Sequence, residues 1–239
     1  IGIKDDSIIK IGKIAEKGER EIDAEGKIVT PGFIDIHCHS DGIIFSKDKN
    51  PKRLEQGFTT EVIGNCGVSL APTNIKTLDT LKKYNDPFFT KMGVTYDWET
   101  FDEFLSELEE NKPILNVASL VGHGALRVAV VGFDDRELTE EELESMKGIL
   151  DDCLKDGAFG MSSGLIYPPG TFATSEEIYE LLKVVSENEG VYTTHIRSES
   201  NKLIESVEET LDLAGRTGVS TLLSHHKAAG IANHGKTKT

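Results

Sequence analysis

The sequence predicts an α/β fold, a TIM-type (β/α) barrel of which about six strands are present. Three observations predict it. Short, near-continuous apolar runs recur along the chain and suit strands of a parallel sheet covered on both faces. Amphipathic stretches with helix start and stop signals separate those runs. Histidines gather where the runs end, and in a parallel barrel chemistry collects at the C-terminal ends of the strands.

Residues 1–30 read as short strands and turns, punctuated by Asp5-Asp6 and Gly18, with Ile3, Ile8, Ile9 and Ile11 as the apolar positions. Pro31-Gly32 breaks that pattern. From there Phe33-Ile34-Asp35-Ile36-His37 makes a first buried strand and Thr59-Thr60-Glu61-Val62-Ile63 a second. Residues 114–121 form a third, Ala158-Phe159-Gly160-Met161 a fourth, Val191-Tyr192-Thr193-Thr194 a fifth, and residues 219–223 a sixth.

The segments between them read as helices. Thr139 with Glu142 three residues on is a capping box, followed by Leu143, Met146, Leu150, Cys153 and Leu154 at helical spacing, with Gly157 as the stop. Thr174 and Glu177 repeat the signature ahead of Ile178, Leu181, Leu182 and Val185, with Gly190 as the stop. Leu203, Ile204, Val207, Leu211 and Ala214 form another apolar stripe, closed by Gly218, and Trp98, Phe101, Phe104, Leu105 and Leu108 an earlier one. The stretch 71–97 fits no strand–helix unit and is expected to be an inserted loop region. A barrel of this type closes with eight strands, yet after the sixth the chain passes into polar residues 233–239. It also begins at Ile1 rather than Met. The expectation is an N-terminal fragment of a longer protein.

Composition narrows the function classes. A formal net charge of −15 argues against nucleic-acid or acidic-membrane partners. No apolar run approaches the roughly 20 residues of a membrane helix, and no signal-peptide pattern is present. Three cysteines at unrelated spacings make no disulfide framework, so a reducing cytoplasm is the expected setting.

The chemistry-bearing residues sit at the strand ends. His37 and His39 close the first strand, and alternation puts both on one face with Cys38 on the other. His195 closes the fifth strand, and His225 with His226 the sixth. Such a constellation points to a metal site rather than to separate hydrogen-bonded core histidines. Cys66 ends the second strand in Gly64-Asn65-Cys66-Gly67, where flanking glycines let the backbone come close to an ion. A thiolate there is a strong zinc ligand, whereas Cys38 and Cys153 read as small buried hydrophobes. His123, in Gly122-His123-Gly124, is either a substrate contact or a structural loop histidine. Arg197 and Lys227 follow ligand histidines, and each either holds a substrate carboxylate or is salt-bridged behind the site. Glu140-Glu141-Glu142 is a solvated helix start favoured by the helix dipole, and His234 carries no signal.

These motifs carry a resemblance. Ile28-Val29-Thr30-Pro31-Gly32-Phe33-Ile34-Asp35-Ile36-His37-Cys38-His39 is similar to the first-strand signature of the amidohydrolase superfamily, a metal-dependent hydrolase fold. Gly57-Phe58-Thr59-Thr60-Glu61-Val62-Ile63-Gly64-Asn65-Cys66-Gly67 resembles the second-strand motif of the N-acyl-D-amino-acid deacylases (D-aminoacylases). So do Ser162-Ser163-Gly164-Leu165-Ile166-Tyr167-Pro168-Pro169-Gly170, Thr194-His195-Ile196-Arg197-Ser198-Glu199 and Ser224-His225-His226-Lys227.

The resemblance implies several things. Residues 1–30 would belong to a small β-sandwich domain flanking a barrel portion at 31–239. Many superfamily members bridge two metals with a carboxylated lysine on the fourth strand; this chain has none there, and Cys66 would take its place. Cys66, His195 and His225 would hold the tightly bound zinc, and His37 with His39 a second, weaker site sharing Cys66, with His226 turned away. Tyr167 matches a contact to the substrate carboxylate. The family's acid–base aspartate, and an arginine and serine that meet the carboxylate, would lie beyond residue 239, so this chain alone is expected to be inactive and to self-associate through open sheet edges. The implied activity is hydrolysis of N-acyl-D-amino acids, with that small molecule as the substrate. Two other readings stand beside it: a cyclic amidohydrolase of the hydantoinase or dihydroorotase kind, against which the missing lysine speaks, and a non-catalytic metal-binding fragment.

Overall fold

The computed structural model describes residues 1–46, 51–89 and 94–238. The chain divides into two compact units, Ile1–Pro31 and Gly32–Thr239. In the first, β1 (Gly2–Lys4) and β2 (Ser7–Lys10) pair antiparallel across a tight turn at Asp5-Asp6. Asp5 takes a left-handed conformation there (φ 54°), which Asp tolerates better than most side chains. Ile3, Ile8, Ile9 and Ile11 are all at least 60% exposed, so this hairpin buries none of the apolar positions that define it in sequence.

In the second unit β3 (Phe33–Asp35), the short helix α1 (Lys52–Glu55) and β4 (Phe58–Ile63) come first. Helices α2 (Leu78–Phe89) and α3 (Phe101–Glu110) follow, then β5 (Asn116–Ser119), β6 (Val121–Gly122) and α4 (His123–Val130). The chain continues through α5 (Glu140–Asp156), β7 (Gly160–Gly164), α6 (Ser175–Glu187), β8 (Val191–His195), α7 (Leu203–Thr217) and β9 (Ser220–Leu223). All pairings in this unit are parallel and run in chain order, β3-β4-β5 and β6-β7-β8-β9. β5 and β6 are one strand interrupted at Leu120, whose N–H still donates to Ile63 O at 3.0 Å. The sheet is therefore a partial barrel of six consecutive strands, and among the described residues no pairing closes it.

Packing explains where the elements depart from the sequence pattern. The fourth strand runs three residues deeper than its apolar run, through Ser162-Ser163-Gly164. Those hydroxyls are buried but satisfied: Ser162 Oγ donates to Gly64 O, and Ser163 Oγ bonds Tyr192 Oη at 2.6 Å and Thr194 Oγ1 at 2.8 Å. Helix α7 buries Leu203 of the predicted stripe but turns Ser206, Thr210 and Leu213 inward in place of the rest, leaving Leu211 59% exposed. Helix α2 occupies much of the stretch expected to be a loop, whose residues 90–93 lie outside those described. Two further departures concern helix ends: Asn188, not Gly190, caps α6, and His123 is the first residue of α4 rather than a loop residue.

The capping box of α5 forms in both directions, Thr139 Oγ1 accepting from Glu142 N–H while the Glu142 carboxylate accepts from Thr139 N–H. Thr139→Ala is expected to cost about 1 kcal/mol, read as a lower urea midpoint with an unchanged slope. At α6 only half the box forms. Thr174 caps the Glu177 N–H at 3.1 Å, but the Glu177 side chain is drawn inward to His123 and Arg127. No helix among the described residues is long and apolar enough to cross a membrane.

Candidate metal centre

The strand ends bring five of the seven histidine and cysteine donors singled out above into two groups that share Cys66. His37, His39 and Cys66 form one, and Cys66, His195 and His225 the other, with all donor atoms of a group within 4.8 Å of one another. The Cys66 sulfur lies 3.3 Å from His37 Nε2 and 3.2 Å from His225 Nε2. The His37 and His39 rings stand nearly perpendicular, 5.5 Å apart. Cys38 points the other way, its sulfur 3.3 Å from Val62 O and 3.2 Å from Ser40 Oγ, although β3 ends at Asp35 and His37, Cys38 and His39 lie in the segment just past it. His226 is exposed and belongs to neither group, nor does His123.

The turn that presents Cys66 is fixed by close packing. Gly64 has φ 77°, and a Cβ there would meet Leu120 O at 2.1 Å, so only glycine fits. Asp41, 1% exposed, accepts the Gly64 N–H at 2.8 Å, and burial pushes its carboxyl up to about 7. Asn65 reaches Val62 O at 2.8 Å and Thr193 Oγ1 at 3.0 Å, and Tyr167 Oη donates to Cys66 O. Helix α2 walls this turn: Tyr84 Oη donates to Gly67 O, Asn85 Nδ2 to Ser69 O, and Phe88 stands between His39 and Tyr167 at 5.6 and 6.1 Å. The segment 71–97 thus contributes directly to the site.

Burial governs the electrostatics. It lowers His37 to about 4, with His225 adding to the effect, and it is also the main cause of the lowered values at His39, His195 and His225. All four imidazoles are therefore neutral near pH 7 with a lone pair to offer. Burial pushes the Cys66 thiol up to about 12. A divalent cation beside a thiol has the opposite effect and strips its proton. One thiol and several neutral imidazoles suit a borderline-soft dication such as zinc better than calcium or magnesium.

The candidate substrate contacts take the following places. The Tyr167 ring is 5.7 Å from that of His195. Arg197 Nε donates to both carboxylate oxygens of Glu209 on α7, at 2.9 and 3.0 Å, which is the salt-bridged alternative its position leaves open. Lys227 Nζ lies 2.5 Å from Glu199 Oε1, with its side chain 55% exposed. His123, fully buried, donates or accepts through Nε2 at 2.8 Å from Glu177, the structural role of the two considered.

Three polar residues around the donors carry no separate signal in the sequence. Ser224 Oγ is 3.0 Å from His37 Nδ1, Asp41 holds the Cys66 turn, and Glu199 approaches His195. The one available cue for Glu199 is its place four residues after a strand-end histidine, beside a lysine that only the fold brings near.

Comparison with known proteins identifies relatives of the chain. The D-aminoacylase of Alcaligenes xylosoxydans xylosoxydans is 35% identical over 242 residues, covering 100% of this chain and 48% of its own length. The N-acyl-D-glutamate deacylase of the same organism is 38% identical over 240 residues, covering 99% and 47%. The chain thus spans about half the length of these curated relatives. A D-aminoacylase crystal structure superposes with a TM-score of 0.76 at 36% identity, over 87% of this chain and 43% of that one. The N-acyl-D-glutamate deacylase of Bordetella bronchiseptica, complexed with zinc and a phosphonate mimic of the tetrahedral intermediate, superposes at 0.80 and 36% identity, over 90% and 44%. With the sequence profile of the amidohydrolase family matching residues 20–181, the chain belongs to that family.

Proposed function

We propose that this chain carries the metal centre of a zinc-dependent hydrolase that cleaves the amide bond of N-acyl-D-amino acids. The observation that carries this reading is the pair of donor groups sharing Cys66 at the strand ends. Support comes also from relatives named as deacylases of N-acyl-D-amino acids along the whole chain.

In this reading Cys66, His195 and His225 hold one ion, and His37, His39 and Cys66 form a second site. A bound zinc supplies Lewis acidity toward the scissile carbonyl and acidifies water. The reaction breaks the amide C–N bond. Water delivers its oxygen to the acyl carbon and its protons to the leaving nitrogen and the medium, leaving a carboxylate and a D-amino acid. The chain's own residues bind and orient. Lys227, two residues past His225 with a side chain 55% exposed and its Nζ paired to Glu199, is suited to the substrate carboxylate, and the Tyr167 ring lies 5.7 Å from that of His195. Arg197 is the weakest of the three candidates because Glu209 already engages it. Helix α2 lines the site, with Phe88 packed against His39 and Tyr167. We place residues 1–30 in a small β-domain and the protein in a reducing cytoplasm, which suits three free cysteines.

A polypeptide carrying this chain is expected to hydrolyse N-acetyl-D-methionine and to spare N-acetyl-L-methionine. Comparable rates on the two hands would overturn the proposal.

A further inference from the structure

Glu199 is the feature around the centre that neither the donor set nor the reaction accounts for. It is 7% exposed, and burying a carboxylate is costly unless cations or hydrogen-bond donors surround it. Its Oε1 meets two of them, His195 Nε2 at 3.3 Å and Lys227 Nζ at 2.5 Å. Its main chain is tied down as well, Glu199 O accepting from Ala229 N–H at 2.6 Å. The loop after β8 and the loop after β9 are thus joined at one residue, through both side chain and backbone.

Glu199 belongs to neither group of donor atoms, yet its carboxylate lies 3.3 Å from His195 Nε2. His195 Nε2 is buried, and the described residues give it no hydrogen-bond partner of good geometry. The Glu199 carboxylate is the ion-pair partner of that nitrogen by distance, and a small ring rotation would align the two. An imidazole that gives its Nε2 proton to a carboxylate keeps its lone pair on Nδ1. Such pairing fixes both the tautomer and the ring orientation of a ligating histidine and raises its basicity.

We propose that Glu199 is a positioning residue that selects the Nε2–H tautomer of His195, so that Nδ1 is the nitrogen offered to the ion, and that it holds the Lys227 ammonium at the rim of the same centre. This rests on the reading of His195 as a zinc ligand. One carboxylate then couples the ion's ligand to the cation suited to the substrate. Its length matters, because the same oxygen reaches both partners.

The test uses the full chain and two readouts that do not depend on turnover. In the metal-free protein the ¹⁵N ring shifts of His195, assigned by their disappearance in His195→Ala, are expected to show a protonated Nε2 and a bare Nδ1. Glu199→Ala is expected to weaken that preference and to lower zinc affinity by about 10–100-fold in competition with a chelator. Glu199→Gln, which keeps an acceptor without the charge, is expected to fall between. Wild-type His195 protonated at Nδ1 overturns the proposal, whether or not the alanine variant folds. So does a folded Glu199→Ala that binds zinc within about twofold of the parent while His195→Ala binds it poorly. If His195→Ala itself binds zinc undiminished, the ligand reading fails instead, and this inference with it.

Discussion

Replacing Cys66 by alanine is expected to cut zinc affinity by more than about 100-fold, beyond what losing an outer partner of a ligand costs. Cys66 is the one donor common to both groups, and the only one in either that binds as an anion. The other donors are neutral imidazoles, so the thiolate supplies all the charge that the ligands bring to the ion. The same residue sets the pH dependence. With burial raising the thiol to about 12 and lowering His195 and His225 below their ordinary value, the thiol is the group that must lose a proton on binding between pH 7 and 8. Zinc affinity is expected to rise about tenfold per pH unit in that window, with close to one proton released per ion at the Cys66–His195–His225 group. Calorimetry in buffers of different ionisation enthalpy measures the release. Undiminished zinc in Cys66→Ala would show that the sulfur is not a ligand.

Glu177→Ala is expected to destabilise the fold by roughly 3–5 kcal/mol, the range for breaking a buried ion pair from one side. Arg127 and His123 are fully buried, and Glu177 is 4% exposed. The carboxylate receives Arg127 Nη1 at 2.5 Å and sits 2.8 Å from His123 Nε2, so its loss strands a guanidinium in the core. Burial alone would raise the Glu177 pKa, but its bonds to His123 and Arg127 outweigh that and hold it below the ordinary value. The sign follows: this stability is present above the unfolded glutamate value of about 4.3 and fades as pH falls below it. Chemical denaturation at pH 7 measures the loss. The double variant Glu177→Ala, Arg127→Met should recover part of it, since an apolar replacement leaves no unpaired charge. A single variant as stable as the parent would mean that the trio contributes nothing to the fold.

The donors of the centre are legible in the sequence because they depend on local rules. The spacing of His37 and His39 just past the first strand is enough to bring them together, with Cys38 turned away, although the strand itself ends at Asp35 rather than at His37. What escapes is whatever depends on hydrogen-bond and packing partners that a pattern of hydrophobicity does not register. Ser206 and Thr210 look polar, yet their hydroxyls bond the Lys202 and Ser206 carbonyls one turn back and can face the core, so hydrophobicity places the inward stripe of α7 wrongly. Buried Ser162 and Ser163 extend β7 for the same reason. Pro87 and the lysines of α2 hide a helix whose buried side is Leu81, Tyr84, Asn85 and Phe89. Glu177 resembles a capping residue until tertiary contacts draw it inward, and Glu199 is silent until Lys227 and His195 close on it.

Cys66 and His225, whose donor atoms face each other across the centre, both hold left-handed backbone conformations, with φ 57° and 53°. Main-chain geometry therefore acts as a filter on which ligand sets this scaffold could ever acquire. Asparagine, aspartate and histidine enter that region most readily among side chains, whereas β-branched residues are outliers in it. An evolutionary or designed exchange of the Cys66 thiolate for an aspartate meets little backbone resistance, and threonine is disfavoured before its coordination chemistry is considered. The repertoire of ions open to descendants of this centre is set by two torsion angles as well as by the donor atoms.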